Sequence, residues 1–243
     1  MISLASILND STSGSSELLQ RLNQYFLQEI KNKIEFNPDI ALIEKKLESF
    51  TNIKGYLLKV KEYVQGKDFY ELENYLNNFD SAEKESLDKL FQNSRKLLPR
   101  FRTALTISNS RTLIEFFKYL NSHINKIEIF ISESLPGGEG NIMAEILSKN
   151  GLNAKVIKDD EAEVFAKKSD VVFLGADKIL EDGSIVNKIG SKNLSIVAKN
   201  RNIPVFVLAT KNKFELVKNT ESVYDKELFE IIESDLITKI ITD

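Results

Sequence analysis

The 243-residue sequence predicts an α/β protein, with a helical N-terminal domain over residues 1–98 followed by a parallel-sheet domain over 99–243. Three observations carry that expectation. Gly14, Gly55 and Gly66 precede Arg100 while the other seven glycines follow it, so conformations that favour glycine concentrate in the second part. Before Leu98, apolar residues recur at three- and four-residue intervals, the period of amphipathic helices. After Pro99, short β-prone runs alternate with helical ones, which is the order of a parallel sheet covered by helices on both faces.

Taken in order, Leu18, Leu19, Leu22, Phe26 and Ile30 mark one helix, and Leu57, Leu58, Val60, Lys61 and Val64 another. "STSGSSELLQRL", which begins at Ser11, offers hydroxyl caps ahead of the first. "NNFDSAEKESLDKL" offers Asp80 or Ser81 as a cap, with Glu83 and Glu85 in the first turn of a further helix. Pro38 and Pro99 punctuate this region. The strands expected are "FRTALTIS" (101–108), "KIEIFIS" (126–132), "NAKVIK" (153–158), "DVVFLGA" (170–176) and "PVFVLAT" (204–210). Between them, "SRTLIEFFKYLN", "EGNIMAEILSKNG" and "SKNLSIVAKNRN" carry helical periodicity.

Composition excludes several classes of function. With 33 Lys and Arg against 36 Asp and Glu, no basic excess draws the chain to nucleic acid or to a membrane surface. There is no Cys for a disulfide, a thiolate nucleophile or a zinc site, and a single His123 argues against a His-based metal centre. No apolar run approaches the roughly 20 residues that span a bilayer, and no signal pattern opens the sequence. A soluble, cytoplasmic protein is expected.

Ligands of parallel sheets bind beyond the carboxyl ends of the strands, and four polar clusters fall at such ends. "TISNSRT" (106–112) could cradle a phosphate through Thr106, Ser110 and Arg111 at a helix start, or simply supply an N-cap from Ser108, Asn109 or Ser110. "SESLPGGEGN" (132–141) brings Glu133, Gly137 and Gly138 into a close-approach loop, though a plain turn with Glu139 near a helix start reads equally well. It lacks the spacing of a dinucleotide loop, so no such cofactor is expected. "GAD" places the Asp177 carboxylate at a strand end, for proton transfer or as a turn cap. In "DGSIVNKIGS" (182–191), Asp182-Gly183 reads as a hairpin turn, followed by Asn187 and Lys188 as donors to a hydroxyl or phosphate.

In this order the motifs resemble those of one family. It joins the alpha, beta and delta regulatory subunits of translation initiation factor 2B with isomerases of methylthioribose 1-phosphate and ribose 1,5-bisphosphate. The matching stretches are "GSSEL" (14–18), "TISNSRT", "ISESLPGGEG", "FLGADKILEDGSIVNKIGS", "IPVFVLATKNKF" (203–214) and "IITD" (240–243). The resemblance implies a helical domain packed on a Rossmann-like domain, a homodimer formed through the latter, and a phosphosugar pocket between them. It also implies proton transfer by the Asp of "GAD", here Asp177, and by a Cys at the position of Ser108.

An alcohol is a far weaker acid than a thiol, whose ordinary pKa is about 8.5, so Ser108 cannot replace that cysteine unaided. Leu135 stands where the isomerases carry Arg, the natural bidentate phosphate clamp. Both departures favour a regulatory or scaffold protein that binds a small phosphorylated ligand without efficient catalysis and has a translation initiation factor as partner. The alternative is an aldose-ketose isomerase working through Asp177 and Ser108. Abundant Lys, Ile and Glu suit an archaeal member of the family.

Overall fold

The computed structural model describes residues 2–10, 12–31, 40–123, 127–215 and 224–243. Ser11, Pro38 and Lys126, all named above, lie outside the described residues. The N-terminal part comprises α1 (Leu4–Leu8), α2 (Ser15–Lys31), α3 (Ile40–Lys46), α4 (Thr51–Gly66) and α5 (Phe69–Leu97). Their apolar stripes meet in one cluster that includes Leu18, Leu22, Phe26, Ile53, Leu57 and Leu72. The spacing that predicted helices therefore also marks the faces they bury.

Two capping expectations fail. Asp80 and Ser81 sit exposed in the middle of α5, which runs unbroken for 29 residues and is capped instead by Asp68, whose carboxylate accepts from the Glu71 N–H at 3.1 Å. Leu and Glu before Asp80, and Ala, Glu and Lys after Ser81, are good helix formers, and Leu76, Phe79, Leu90 and Phe91 fix the helix from its buried face. At the start of α2, the Gly14 carbonyl takes the first intrahelical bond from the Leu18 N–H at 3.1 Å, while the Ser15 hydroxyl turns elsewhere.

The second part holds β1 (Thr103–Ile107), α6 (Arg111–Asn121), β2 (Glu128–Ser132), α7 (Glu139–Lys149), β3 (Asn153–Ile157), α8 (Ala162–Ala166) and β4 (Val171–Leu174). After these come β5 (Lys178–Ile179), β6 (Ile185–Lys188), α9 (Ser191–Asn200), β7 (Val205–Leu208), β8 (Phe229–Ile232) and β9 (Lys239–Ile241). Six strands form a parallel sheet in the order β3-β2-β1-β4-β7-β9. Apolar clusters pack on both faces, one including Phe116, Phe173 and Met143, the other Val172, Leu194 and Val207. The order reverses direction between β1 and β4, which makes their carboxyl ends the topological switch point of a doubly wound sheet.

A second sheet, β5-β6-β8, is antiparallel and was not foreseen. Its β5-β6 connection contains the expected turn, with Gly183 at φ 81° and the Asp182 carboxylate accepting from the Ser184 N–H at 2.9 Å. Strands β5 and β6 are buried throughout, so they lack the polar alternation that marks a half-exposed strand.

Candidate functional site

At the switch point β1 is followed by Ser108, whose φ of +66° lies in the left-handed region that a β-carbon disfavours. The next turn caps α6, with Ser110 Oγ accepting from the Leu113 N–H at 3.4 Å. Beside it, β4 gives way to Gly175, Ala176 and Asp177. A β-carbon on Gly175 would stand 2.7 Å from Ser110 Oγ, so glycine is what lets the two strand ends close up.

The helical part completes the enclosure. A cavity of about 240 Å³ is bounded by Gly14, Ser15 and Ser16 at the start of α2 and by Ser110, Arg111 and Thr112 at the start of α6. Two helix N-termini thus reach one space, each presenting unbonded N–H groups and the positive end of its dipole. Asp177 and Ser108 line the same cavity, as do Asn187 and Lys188, carried there on the end of β6.

Asp177 is tied across the two parts of the chain. Its Oδ1 accepts a 2.6 Å hydrogen bond from Ser15 Oγ, and the same Ser15 oxygen accepts from the Lys213 ammonium. Lys213 is buried, which pushes its pKa down from the ordinary 10.5, while the Asp177 and Glu83 carboxylates pull it back up. A serine hydroxyl therefore relays the field of a buried cation to the carboxylate.

Lys188 is not free to act as a lone phosphate donor. Its Nζ lies 2.5 Å from Glu139 Oε1, with the side chains 9% and 3% exposed. Neighbouring Asn187 donates from Nδ2 to Ser191 Oγ at 2.9 Å, at the start of α9. Arg111 makes a long contact to the Ser16 carbonyl at 3.5 Å.

Of the ten residues proposed from sequence, the structure brings Ser108, Ser110, Arg111, Asp177, Asn187 and Lys188 to the cavity. The other four are elsewhere. Thr106 is sealed within β1, and its hydroxyl has no hydrogen-bond partner. Glu133, Gly137 and Gly138 belong to a neighbouring loop that does not line the cavity. That loop is anchored by Asp159, which accepts from the Ser134 and Leu135 N–H groups at 2.9 and 2.8 Å. Leu135 is 55% exposed and is not among the residues that line this cavity.

Sequence reasoning missed Ser15, Glu139 and Lys213 as members of the network. Ser15 carried a signal in the "GSSEL" match, and Glu139 was read only as a helix-start residue. Lys213, in "TKNKF", had none, because its burial is produced by segments far away in the chain. Among the described residues no group of three or more His, Cys, Asp or Glu side chains could hold a metal ion, and no helix is long and apolar enough to cross a membrane.

Chemically, the cavity offers N–H groups and positive dipole ends for an anion, hydroxyl and amide groups for a polyol, and the Asp177 carboxylate, with Asp10, Glu139 and Asp225 also in the lining, for proton transfer or for anchoring a hydroxyl. Ser108 Oγ has no hydrogen-bonded base among the described residues, so no base activates it as a nucleophile.

Known proteins share this fold. The chain is 27% identical over 212 residues to translation initiation factor eIF2B subunit alpha of Caenorhabditis elegans, a match covering 82% of this chain and 68% of the relative. To ribose 1,5-bisphosphate isomerase of Methanocaldococcus jannaschii it is 26% identical over 188 residues, 77% of this chain and 60% of that enzyme. The crystal structure of the translation initiation factor eIF-2B of Pyrococcus horikoshii OT3 superposes with a TM-score of 0.80 at 21% identity, covering 98% of this chain and 93% of that one, a likeness of fold. A model of the initiation factor 2 subunit family matches residues 3–239, and on that extent the chain belongs to that family, which includes both regulatory subunits and sugar-phosphate isomerases.

Proposed function

We propose that the cavity binds a small phosphorylated ligand, a sugar phosphate or a nucleotide, and that the protein is a regulatory or scaffold member of its family, not an efficient isomerase. The observation that carries this reading is the convergence of two helix N-termini on a space whose acid position is held by Ser108, an alcohol with no activating partner. Such a space suits an anion. Of its four lining carboxylates, Asp10 and Glu139 are held in ion pairs and Asp177 is tied to Ser15, which leaves few groups to move protons.

In this reading the ligand's phosphate sits on the N–H groups of α2 and α6, with Arg111 beside it. Its hydroxyls meet Asp177 and Asn187. A homodimer through the sheet domain, a cytoplasmic location and a translation initiation factor as partner complete the proposal. The eIF2B subunits among the relatives, and the absence of cysteine, support it.

The test combines binding and turnover. Thermal melts with ribose 1,5-bisphosphate, methylthioribose 1-phosphate and AMP should each be compared with inorganic phosphate. A ligand at a hundred times its Kd stabilises by about 2.7 kcal/mol, and for a chain of this size that raises Tm by roughly 5–10 °C. Product analysis with the two sugar phosphates should show no ketose. Ser108→Cys should then raise turnover from that baseline if the missing thiol is the defect. Ready conversion by the unaltered protein, lost on Asp177→Asn, would replace this reading with the isomerase.

A further inference from the structure

A second cavity, of about 530 Å³, lies in the helical part between α4 and α5 and is unlike the first in chemistry. One wall is aromatic. Tyr56, Tyr63, Tyr75 and Phe79 form a continuous set, with centroids 5.7 Å apart for Tyr56 and Tyr75, 5.8 Å for Tyr63 and Tyr75, and 5.3 Å for Tyr56 and Phe79. The carboxylates of Glu71 and Glu83 and the amides of Asn74 and Asn78 also line it.

No Lys, Arg or His lines this space. Among the described residues neither carboxylate makes an ion pair. Glu83 accepts a single 3.2 Å hydrogen bond from Asn212, and burial raises its pKa, against the pull of Lys213 and Arg111. The walls therefore combine π-faces with carboxylates that no ion pair neutralises, the cations that act on Glu83 lying outside the lining. One ring already shows the corresponding attraction, since the Lys59 ammonium stands over Tyr63 at 5.2 Å from its centroid. An anion such as the phosphate proposed for the first cavity would be repelled here, and a neutral apolar ligand would leave the carboxylates unanswered.

We infer that the cavity between α4 and α5 is a second ligand site, selective for an organic ammonium cation with an apolar body: the ammonium meets Glu83 and Glu71, and the body packs on Tyr56, Tyr63 and Tyr75. The volume falls within the range of small-molecule pockets, roughly 300–1,000 Å³. This inference is independent of the phosphate reading.

The experiment is calorimetric titration of the full chain with phenethylammonium chloride and with its uncharged analogue 2-phenylethanol, at constant ionic strength. Saturable one-site binding of the ammonium is expected, at least about tenfold tighter than the alcohol. Glu83→Gln should weaken ammonium binding at least about tenfold and Tyr75→Leu several-fold, while Ser108→Ala in the first cavity should leave it unchanged. Should Glu83→Gln fail to fold, Glu71→Gln and Tyr75→Leu carry the test. The inference is overturned by absence of saturation up to about 10 mM, by equal affinity for ammonium and alcohol, or by loss of binding in Ser108→Ala instead of Glu83→Gln.

Discussion

Replacing one partner of the Lys188–Glu139 pair should destabilise the fold far more than replacing both. At the observed 2.5 Å the gross attraction is roughly 7 kcal/mol with an effective dielectric constant of about 20. Withdrawing each ion from water costs several kcal/mol, so the intact pair sits close to balance. Removing Lys188 upsets that balance. Glu139 is then left buried with Oε1 newly unpaired and Oε2 already without a hydrogen-bond partner, and the expected loss for Lys188→Met is about 3–5 kcal/mol.

Glu139→Gln should cost less, because the amide oxygen can still accept from Lys188. The double variant should return to within about 2 kcal/mol of the original, giving a coupling of a few kcal/mol. Urea unfolding at neutral pH measures all four corners of the cycle, with unchanged m-values as the condition for comparing them. Single costs below about 1 kcal/mol, or a double variant equal to the sum of the singles, would refute the account of a desolvated, mutually dependent pair.

The other expectations follow from the same network. Ser15→Ala removes the hydroxyl between Lys213 and Asp177, leaving a buried ammonium without its hydrogen bond; a loss of about 1–3 kcal/mol in urea unfolding is expected, and no loss would deny the relay. Because the folded Lys213 has a depressed pKa, the unfolded chain binds more protons between that value and 10.5, so stability gains a contribution as pH rises through this window. Lys213→Met should remove that alkaline rise, which a series of melts between pH 7 and 10 would reveal. Gly175→Ala sets a β-carbon 2.7 Å from Ser110 Oγ and should cost about 1–3 kcal/mol, with a lowered Tm as the readout; an unchanged Tm would mean the strand ends can part freely.

The architecture was largely legible in the sequence, and the reason is local. Leu18, Leu22 and Phe26 repeat with the helical period because one face of α2 is buried, and "VVFL" is uniformly apolar because β4 is covered on both sides. Where a local signal had two readings it sometimes misled. Asp80 and Ser81 look like a helix start, yet packing along Leu76, Phe79 and Leu90 carries α5 straight through them. Strands β5 and β8 are too short or too mixed in pattern to stand out from their surroundings.

What the sequence alone determined was the type and order of elements and the residues at strand ends, Ser108 and Asp177 among them, because periodicity and turn chemistry act over a few neighbours. Tertiary structure alone decided the partners. Ser15 reaches Asp177 across 162 positions and Lys213 reaches Ser15 across 198, while Lys188 finds its counter-ion 49 positions away. Desolvation and charge act through space, so whether a lysine is solvated or buried against a carboxylate is fixed only when segments distant in the chain pack together.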